Sequence, residues 1–319
     1  MSEFRTLGTS DLQVSPLCLG GNVFGWTADA AQSVAVLDAY VAGGGNFIDT
    51  SDSYMNYFPE QGNKPGQSET IIGDWIASRN NRDQVVIATK VGDHPQYLGL
   101  EPANIKAAVE ESLRRLRTDY IDLYYTHFDR DESIPVEEII SALDDLVKAG
   151  KVRAIATSNI STERLSASLA FSDRENLSRY VALQPPYNLV SRDTYEGPKQ
   201  EIVEREGLAC VPYFALASGF LTGKYRPGEP VEGVRNVPGL AAGYVDTERG
   251  VKVLAALDQI SKDRGAEMAT VALAWVAQQP TVVAPIASAR SVEQLPALLA
   301  MQDLQLSQSE LATLTAASD

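Results

Sequence analysis

A (βα)8 barrel is the fold this sequence predicts, on three observations. Short apolar or β-branched runs alternate with longer stretches whose apolar residues recur at three- and four-residue steps, the periods of strand and helix. The strand-like runs are eight, at residues 17–21, 46–50, 85–90, 120–127, 152–158, 181–184, 208–213 and 281–287. Strand and helix together repeat roughly every 30 to 40 residues, so 319 residues hold a barrel of about 250 with a few inserted loops and terminal additions. No linker or low-complexity stretch divides the chain, and a single domain spanning 1–319 is expected.

Each element has a local reason. The first run, PLCLGG, is apolar and glycine-terminated, and the second, NFIDT, follows Gly43, Gly44 and Gly45, which read as a helix stop. VVIATK makes the third. Ile105, Val109, Leu113 and Leu116 form a helical stripe ending just before the fourth, YIDLYYTH. Val136, Ile139, Ile140, Leu143, Leu146 and Val147 form the clearest stripe, which Gly150 stops ahead of the fifth run. The Gly/Pro-rich section from Gly223 to Gly243 follows the seventh run and reads as a long loop on the face where barrels build their active sites. A short helical pattern, Ser309 to Ala316, ends the chain. A doubly wound sheet also alternates strands and helices, but it calls for Gly-x-Gly-x-x-Gly after an early strand, and Gly20, Gly21 and Gly25 have the wrong spacing.

Composition excludes several functions. A formal charge of −15 repels a phosphate backbone or an anionic membrane surface, so neither nucleic acid nor membrane is an expected partner. The N-terminus MSEFRTLGTSDLQV has no basic start and no apolar stretch, and no later run approaches membrane-spanning length. A soluble cytoplasmic protein is the expectation. Cys18 and Cys210 lie far apart in apolar runs without metal-type spacing, so buried free thiols are expected and no metal site.

In the barrel frame Asp49, Lys90 and His127 end the second, third and fourth strands, and Tyr54 lies just beyond the second. Adjacent strands are about 5 Å apart, so the four side chains can converge at one rim. A phenol with a pKa near 10 is a poor acid until a neighbouring ammonium stabilises its phenolate. Lys90 can supply that charge, Asp49 can pair with Lys90, and His127 can position a carbonyl oxygen or join a proton relay. Such a site protonates an oxygen becoming an alkoxide, and carbonyl reduction then requires a hydride from a cofactor. Tyr57 is the rival phenol and a candidate substrate contact. Trp26, Phe24, Tyr97 and Phe128 fall in loops on the same face, where they line a substrate pocket or pack the loops; His94 is expected in a solvated loop.

GGGNFIDTSDSY, VVIATKVG, YIDLYYTHFD, ATSN, QPPYN and ASGFLTGKY, in this order, resemble the aldo-keto reductase superfamily nearly end to end. The resemblance implies a (βα)8 TIM barrel with an N-terminal β-hairpin closing the bottom of the barrel, FRTLGTSDLQVS being similar to that hairpin. It implies an NADP-dependent aldo-keto reductase that converts an aldehyde or ketone to an alcohol, or the reverse, with Tyr54 as general acid and Asp49, Lys90 and His127 completing its tetrad. The implied cofactor is NADP(H), with NADH not excluded. Its implied contacts are Gly21 and Asn22 after the first strand, Asp49, Ser158 and Asn159 at the carboxamide, Gln184 beside them and Tyr213 stacked on the nicotinamide. Ala217, Ser218, Gly219, Leu221 and Lys224 are similar to the loop that wraps the pyrophosphate, Arg235 is an addition to it, and Phe214, Ala215 and Leu216 ahead of it are further implied cofactor contacts. Ser288, Arg290 and Gln294 align with the 2′-phosphate pocket, where a guanidinium suits phosphate geometry. The superfamily also reaches potassium-channel β-subunits, which makes a nicotinamide-binding regulatory protein the alternative, although the sequence shows no partner-binding tail.

Four features depart from the family pattern. Phe214 and Ala215 stand where many members have Ser-Pro, Leu298 stands where many place an adenine-binding Asn, and Ser288 replaces a basic residue. The chain also stops at Asp319 without a long C-terminal loop over the substrate, so an open pocket is expected. Substrate, reaction direction and oligomeric state are not encoded in these motifs.

Overall fold

The computed structural model describes residues 3–55, 64–231 and 240–319. Strands β1 (Arg5–Thr6) and β2 (Gln13–Val14) pair antiparallel as a hairpin. There follow β3 (Cys18–Gly20), β4 (Phe47–Asp49), β5 (Val86–Val91), a small antiparallel pair β6 (Asp93–His94) and β7 (Tyr97–Leu98), then β8 (Ile121–Thr126), β9 (Val152–Ser158), β10 (Tyr180–Gln184), β11 (Ala209–Cys210) and β12 (Ile286–Ala287). The eight principal strands are parallel and neighbour one another in the order β11-β10-β9-β8-β5-β4-β3-β12. Backbone bonds from Cys210 N to Thr281 O (2.9 Å), Val283 N to Cys210 O (2.9 Å) and Ile286 N to Pro212 O (2.8 Å) join the two ends of that order. Sequential order with joined ends is a barrel; a doubly wound sheet would reverse direction partway.

All eight expected strand runs form, with the seventh and eighth much shorter than expected. Proline explains both. Pro212 ends β11 because it has no N–H to give the ladder, and Pro280 and Pro285 flank the segment before β12.

Side-chain alternation fixes which residues point into the barrel. Cys18, Phe47, Val86, Ala88, Leu123, Tyr125, Ala154, Ala156, Ala182, Ala209 and Val211 share one buried cluster inside it, with Leu7, Leu12 and Val14 of the hairpin segment. Leu19, Ile48, Ile87, Tyr124 and Ile155 belong to the other cluster, between sheet and helices. Counting on by two from the inner set reaches Asp49, Lys90, His127, Ser158, Gln184 and Tyr213, all at carboxyl ends of strands. The hairpin lies at the opposite end, since a Cβ on Gly8 would come within 2.1 Å of the carbonyl oxygen of Val181, near the start of β10.

Helices α1 (Ala30–Ala42), α2 (Gln67–Arg79), α3 (Pro102–Leu116), α4 (Val136–Lys148), α5 (Thr162–Glu175), α6 (Pro198–Arg205), α7 (Glu248–Arg264), α8 (Met268–Ala277), α9 (Leu295–Leu299) and α10 (Gln308–Ala317) cover the outside. The stripe starting at Val136 is buried through Leu146, with Val147 partly so, and Gly150 (φ 73°) follows the end of α4 in the left-handed region. Helix α2 holds the site indirectly: Ser68 Oγ donates to Gly21 O (2.8 Å), Thr89 Oγ1 donates to Glu69 Oε1 (2.6 Å), and buried Glu69 pairs with Arg115 of α3 (2.6 Å).

Several expectations need correction. His94 is buried rather than solvated: β6 places it against Tyr97, rings 5.3 Å apart, with Nδ1 accepting from Gln96 N at 3.1 Å. A short polar loop misled the reading, because the two-strand pair that packs it has no periodic signature. Phe24 is wholly buried in the outer cluster and cannot line a pocket. Leu298, the departure at the adenine position, is buried on α9.

Helices α2 and α3 approach closely because position 73 has no side chain. A Cβ there would lie 2.1 Å from Arg115 O and 2.7 Å from the Leu116 carbonyl carbon, both backbone atoms that cannot step aside. Gly73→Ala is expected to destabilise the fold by about 1–3 kcal/mol despite alanine's better helix propensity. Urea unfolding of variant and parent checks this; an unchanged or raised midpoint refutes the close-packing account.

Candidate active site

The inward register at the strand ends collects four side chains. Lys90, fully buried, has three N–H donors and uses all of them: Asp49 Oδ2 at 2.7 Å, Thr50 O at 2.7 Å and Tyr54 OH at 2.8 Å. The ammonium therefore has one orientation. Tyr54 OH in turn donates to Asp49 Oδ2 (3.1 Å), and Gln184 Nε2 donates to the other oxygen of Asp49 (2.9 Å). His127 lies edge-on to the Tyr54 ring, centroids 6.1 Å apart, and stacks on Phe128 at 4.4 Å.

Electrostatics follow from burial. Loss of water pushes the Lys90 ammonium below its ordinary range, while Asp49 beside it pulls back toward the charged form. His127 lies well below its usual value, chiefly through burial and then through the Lys90 and Arg130 charges, so its imidazole is neutral near pH 7. Phenol, ammonium, carboxylate and neutral imidazole thus meet with no net charge. A hydroxyl bonded to an adjacent ammonium can release a proton and leave its anion stabilised.

The other rim residues form a connected arc. Ser158 Oγ donates to Gln184 O (2.7 Å), Asn159 Nδ2 donates to Ser158 Oγ (2.9 Å) and His127 O (2.8 Å), and Tyr213 OH donates to Asn159 Oδ1 (2.8 Å). Burial raises the Tyr213 phenol to about 12, so it stays a neutral donor. Gly21 N donates to Asp49 O (2.7 Å), and Ser288 Oγ donates to Asn22 Oδ1, bringing the first and last barrel strands together. Arg290 and Gln294 are joined from Arg290 N to Gln294 Oε1 (2.8 Å), and both are exposed.

The loop after β11 is strained. Phe214 (φ 56°), Ala217 (φ 48°) and Ser218 (φ 57°) are left-handed, as is Gly219 (φ 90°). The conformation costs a non-glycine residue about 1–2 kcal/mol. Ala215 is buried, Leu216 half-buried, Phe214 and Lys224 exposed. Trp26 and Phe128 are partly exposed at the rim, whereas Tyr57 and Arg235 lie outside the described residues. Among the described residues no group of acids, cysteines and histidines could hold a metal ion, and both cysteines are buried and free. No described helix is long and apolar enough to cross a membrane.

Sequence reasoning passed over Thr50, whose carbonyl takes one Lys90 donor, and Ser51 and Ser53, whose hydroxyls lie 3.3 and 3.4 Å from His127 Nδ1. A signal existed: every residue between Asp49 and Tyr54 carries a side-chain oxygen, an unusual run to bury.

Barrel and rim chemistry together describe an oxidoreductase. Residues 16–319 match the Aldo/keto reductase family, and the chain belongs to that family. Relatives include Protein tas of Escherichia coli (strain K12), 32% identical over 98% of this chain and 97% of its own length. Norsolorinic acid reductase stcV of Emericella nidulans is 34% identical over 94% of this chain and 77% of its own. A protein named as an NADP(+) aryl-alcohol dehydrogenase, from Phanerodontia chrysosporium, is 31% identical over 94% and 81%.

The buried neutral imidazole carries a stability signature. The unfolded chain protonates this histidine below pH 6.5 while the folded chain resists until lower pH, so the unfolded state binds more protons and stability falls with acid. Unfolding free energy should decline below pH 6.5 by up to about 1.4 kcal/mol per pH unit from this group. His127→Gln should flatten that slope relative to the parent in urea titrations between pH 6.5 and 5; identical slopes would show that His127 is protonated in the fold.

Proposed function

We propose that this protein is an NADP(H)-dependent carbonyl reductase, or an alcohol dehydrogenase in the reverse direction, with Tyr54 as proton donor. One observation carries the reading: the Tyr54 hydroxyl is held between Lys90 Nζ at 2.8 Å and Asp49 Oδ2 at 3.1 Å in a site sealed on its inner side. As the carbonyl oxygen gains charge, the phenol turns its proton from Asp49 to that oxygen, and Lys90 stabilises the phenolate left behind. Asp49 keeps Lys90 charged in spite of burial, and Gln184 restrains Asp49 from drawing the phenolic proton itself. His127, neutral and beside Tyr54, orients the carbonyl.

When bound, NADPH would supply the hydride. The rim suits such a ligand at several points. Tyr213 is half-exposed and fixed by its bond to Asn159, as a ring that stacks on a planar group requires. Lys224, beside Gly219 in the strained loop, gives a diphosphate a cation. Arg290 has no ion-pair partner among the described residues and is the residue we assign to a 2′-phosphate. Ser158 and Asn159, joined to each other and to the Gln184 carbonyl, fall to the carboxamide with Gln184 beside them. Gly21 is required by its neighbours in any case, since a Cβ there would lie 2.8 Å from Ser68 Oγ.

A relative named for aryl alcohols supports an aromatic carbonyl substrate, as do Trp26 and Phe128 at the rim. Enzyme names among the relatives favour catalysis over the channel-subunit alternative.

Tyr54→Phe should lower aldehyde turnover by a factor of about 100 or more while NADPH still quenches protein fluorescence as in the parent. Retained turnover in Tyr54→Phe with loss in Tyr57→Phe would reassign the acid. Arg290→Ala should weaken NADPH binding about tenfold or more and leave NADH nearly untouched. Equal losses for both cofactors would remove the 2′-phosphate assignment.

A further inference from the structure

Behind His127 lies a buried polar chain that the proposed chemistry does not use. Ser51 Oγ and Ser53 Oγ are 3.0 Å apart, and both face His127 Nδ1, at 3.3 and 3.4 Å. Ser51 Oγ lies 3.4 Å from Asp52 Oδ1 and accepts the backbone N–H of Ser53 at 3.2 Å. Ser51, Asp52 and Ser53 are wholly buried, and Asp52 Oδ2 has no hydrogen-bond partner among the described residues. The chain therefore runs carboxyl, hydroxyl, hydroxyl, imidazole, and its proton direction decides which nitrogen of His127 bears hydrogen.

The carboxyl end sets that direction. An ionised Asp52 would draw both hydroxyl protons toward itself and pull the imidazole proton onto Nδ1. A protonated Asp52 would donate into Ser51 and send both hydroxyl protons toward Nδ1, leaving the ring proton on Nε2. Asp52 contacts no cation directly, and an orphaned buried carboxylate oxygen is costly by several kcal/mol. Burial is the largest influence and holds the group well above the ordinary carboxylate range; Glu69 and, more weakly, Asp93 add to it, while Arg115 and a bond from the Ser51 hydroxyl, which reverses once Asp52 carries the proton, oppose it.

We infer that Asp52, Ser51 and Ser53 form a buried relay that fixes His127 in the tautomer with its proton on Nε2. The three are positioning residues: they touch neither substrate nor cofactor, and they leave His127 a hydrogen-bond donor to the carbonyl oxygen. The inference rests on the carbonyl-orienting role proposed for His127, but its primary test does not depend on turnover.

The chain has only two histidines, so long-range ¹H–¹⁵N spectra of the ¹⁵N-histidine-labelled full chain resolve both rings. His94 Nδ1 accepts a backbone N–H and serves as the internal example of an unprotonated Nδ1; His94→Gln assigns it. The expected result is an unprotonated Nδ1 on His127. That signature should change in Ser51→Ala/Ser53→Ala and in Asp52→Ala, yet persist in Asp52→Asn, whose amide N–H replaces the acid proton. The double serine variant should lose about tenfold in kcat toward an aromatic aldehyde, the scale of one misdirected hydrogen bond, with KM for NADPH unchanged. A protonated Nδ1 in the parent overturns the inference even if no variant folds. So does an unmoved signature in the double variant, or an Asp52→Asn that matches Asp52→Ala. Full turnover in His127→Ala would instead overturn the orienting role and leave the tautomer result standing.

Discussion

The Lys90–Asp49 ion pair is the constraint on which the site depends. Both partners are almost fully withdrawn from water, and removing one partner of such a pair typically costs about 3–5 kcal/mol because the other is left charged and uncompensated. The pair persists because every donor of the ammonium is satisfied and both oxygens of the carboxylate are engaged. A buried lysine with a spare N–H would shed its proton, and the phenol would lose the positive charge beside it.

That constraint propagates outward through the packing. The backbone of 49–54 must present Thr50 O to Lys90 while offering Asp49 and Tyr54 to the same point. Helix α2 holds the segment through Thr50 Oγ1 to Ser68 Oγ at 2.8 Å, and β5 is held through Thr89 to Glu69. Glu69 is itself neutralised by Arg115 from α3, so two helices outside the barrel fix the position of a hydroxyl inside it. The close approach at Gly73 belongs to the same chain of dependence, because it sets the distance between those helices.

Legibility in the sequence followed physical range. Near-continuous apolar or β-branched strands, such as β5, β8 and β9, could be placed from their own residues, and inward register then delivered Asp49, Lys90, His127, Ser158 and Gln184 without reference to distant parts of the chain. Short prolines-bounded pieces such as β11 and β12 owe their pairing to each other, so their ends were not readable locally. His94 was misread for the same reason, since its burial comes from Tyr97 and from a two-residue strand pair. The burial of Ser51 and Ser53 was hidden differently: polar residues in a loop ordinarily meet water, and only the folded chain buries them. Roles for the tetrad came from a family resemblance joined to chemistry, which spacing alone could not have supplied.

For a chain of charge −15, the proposed capture of an anionic dinucleotide poses an electrostatic problem, and range decides it. At physiological ionic strength the screening length is about 8 Å, so acids scattered over the surface contribute little at the rim. What a phosphate meets is the nearest cation and the nearest N–H. Lys224 and Arg290 are exposed, near the strained loop and near the last strand respectively, whereas the site's third cation, Lys90, is buried and neutralised. Under the proposed function, positive charge has two separate uses: exposed cations in water for recognition, and one immobile ammonium out of water for proton transfer. Burial makes the second strong and exposure makes the first salt-sensitive, so cofactor capture and chemistry respond to different changes in the medium.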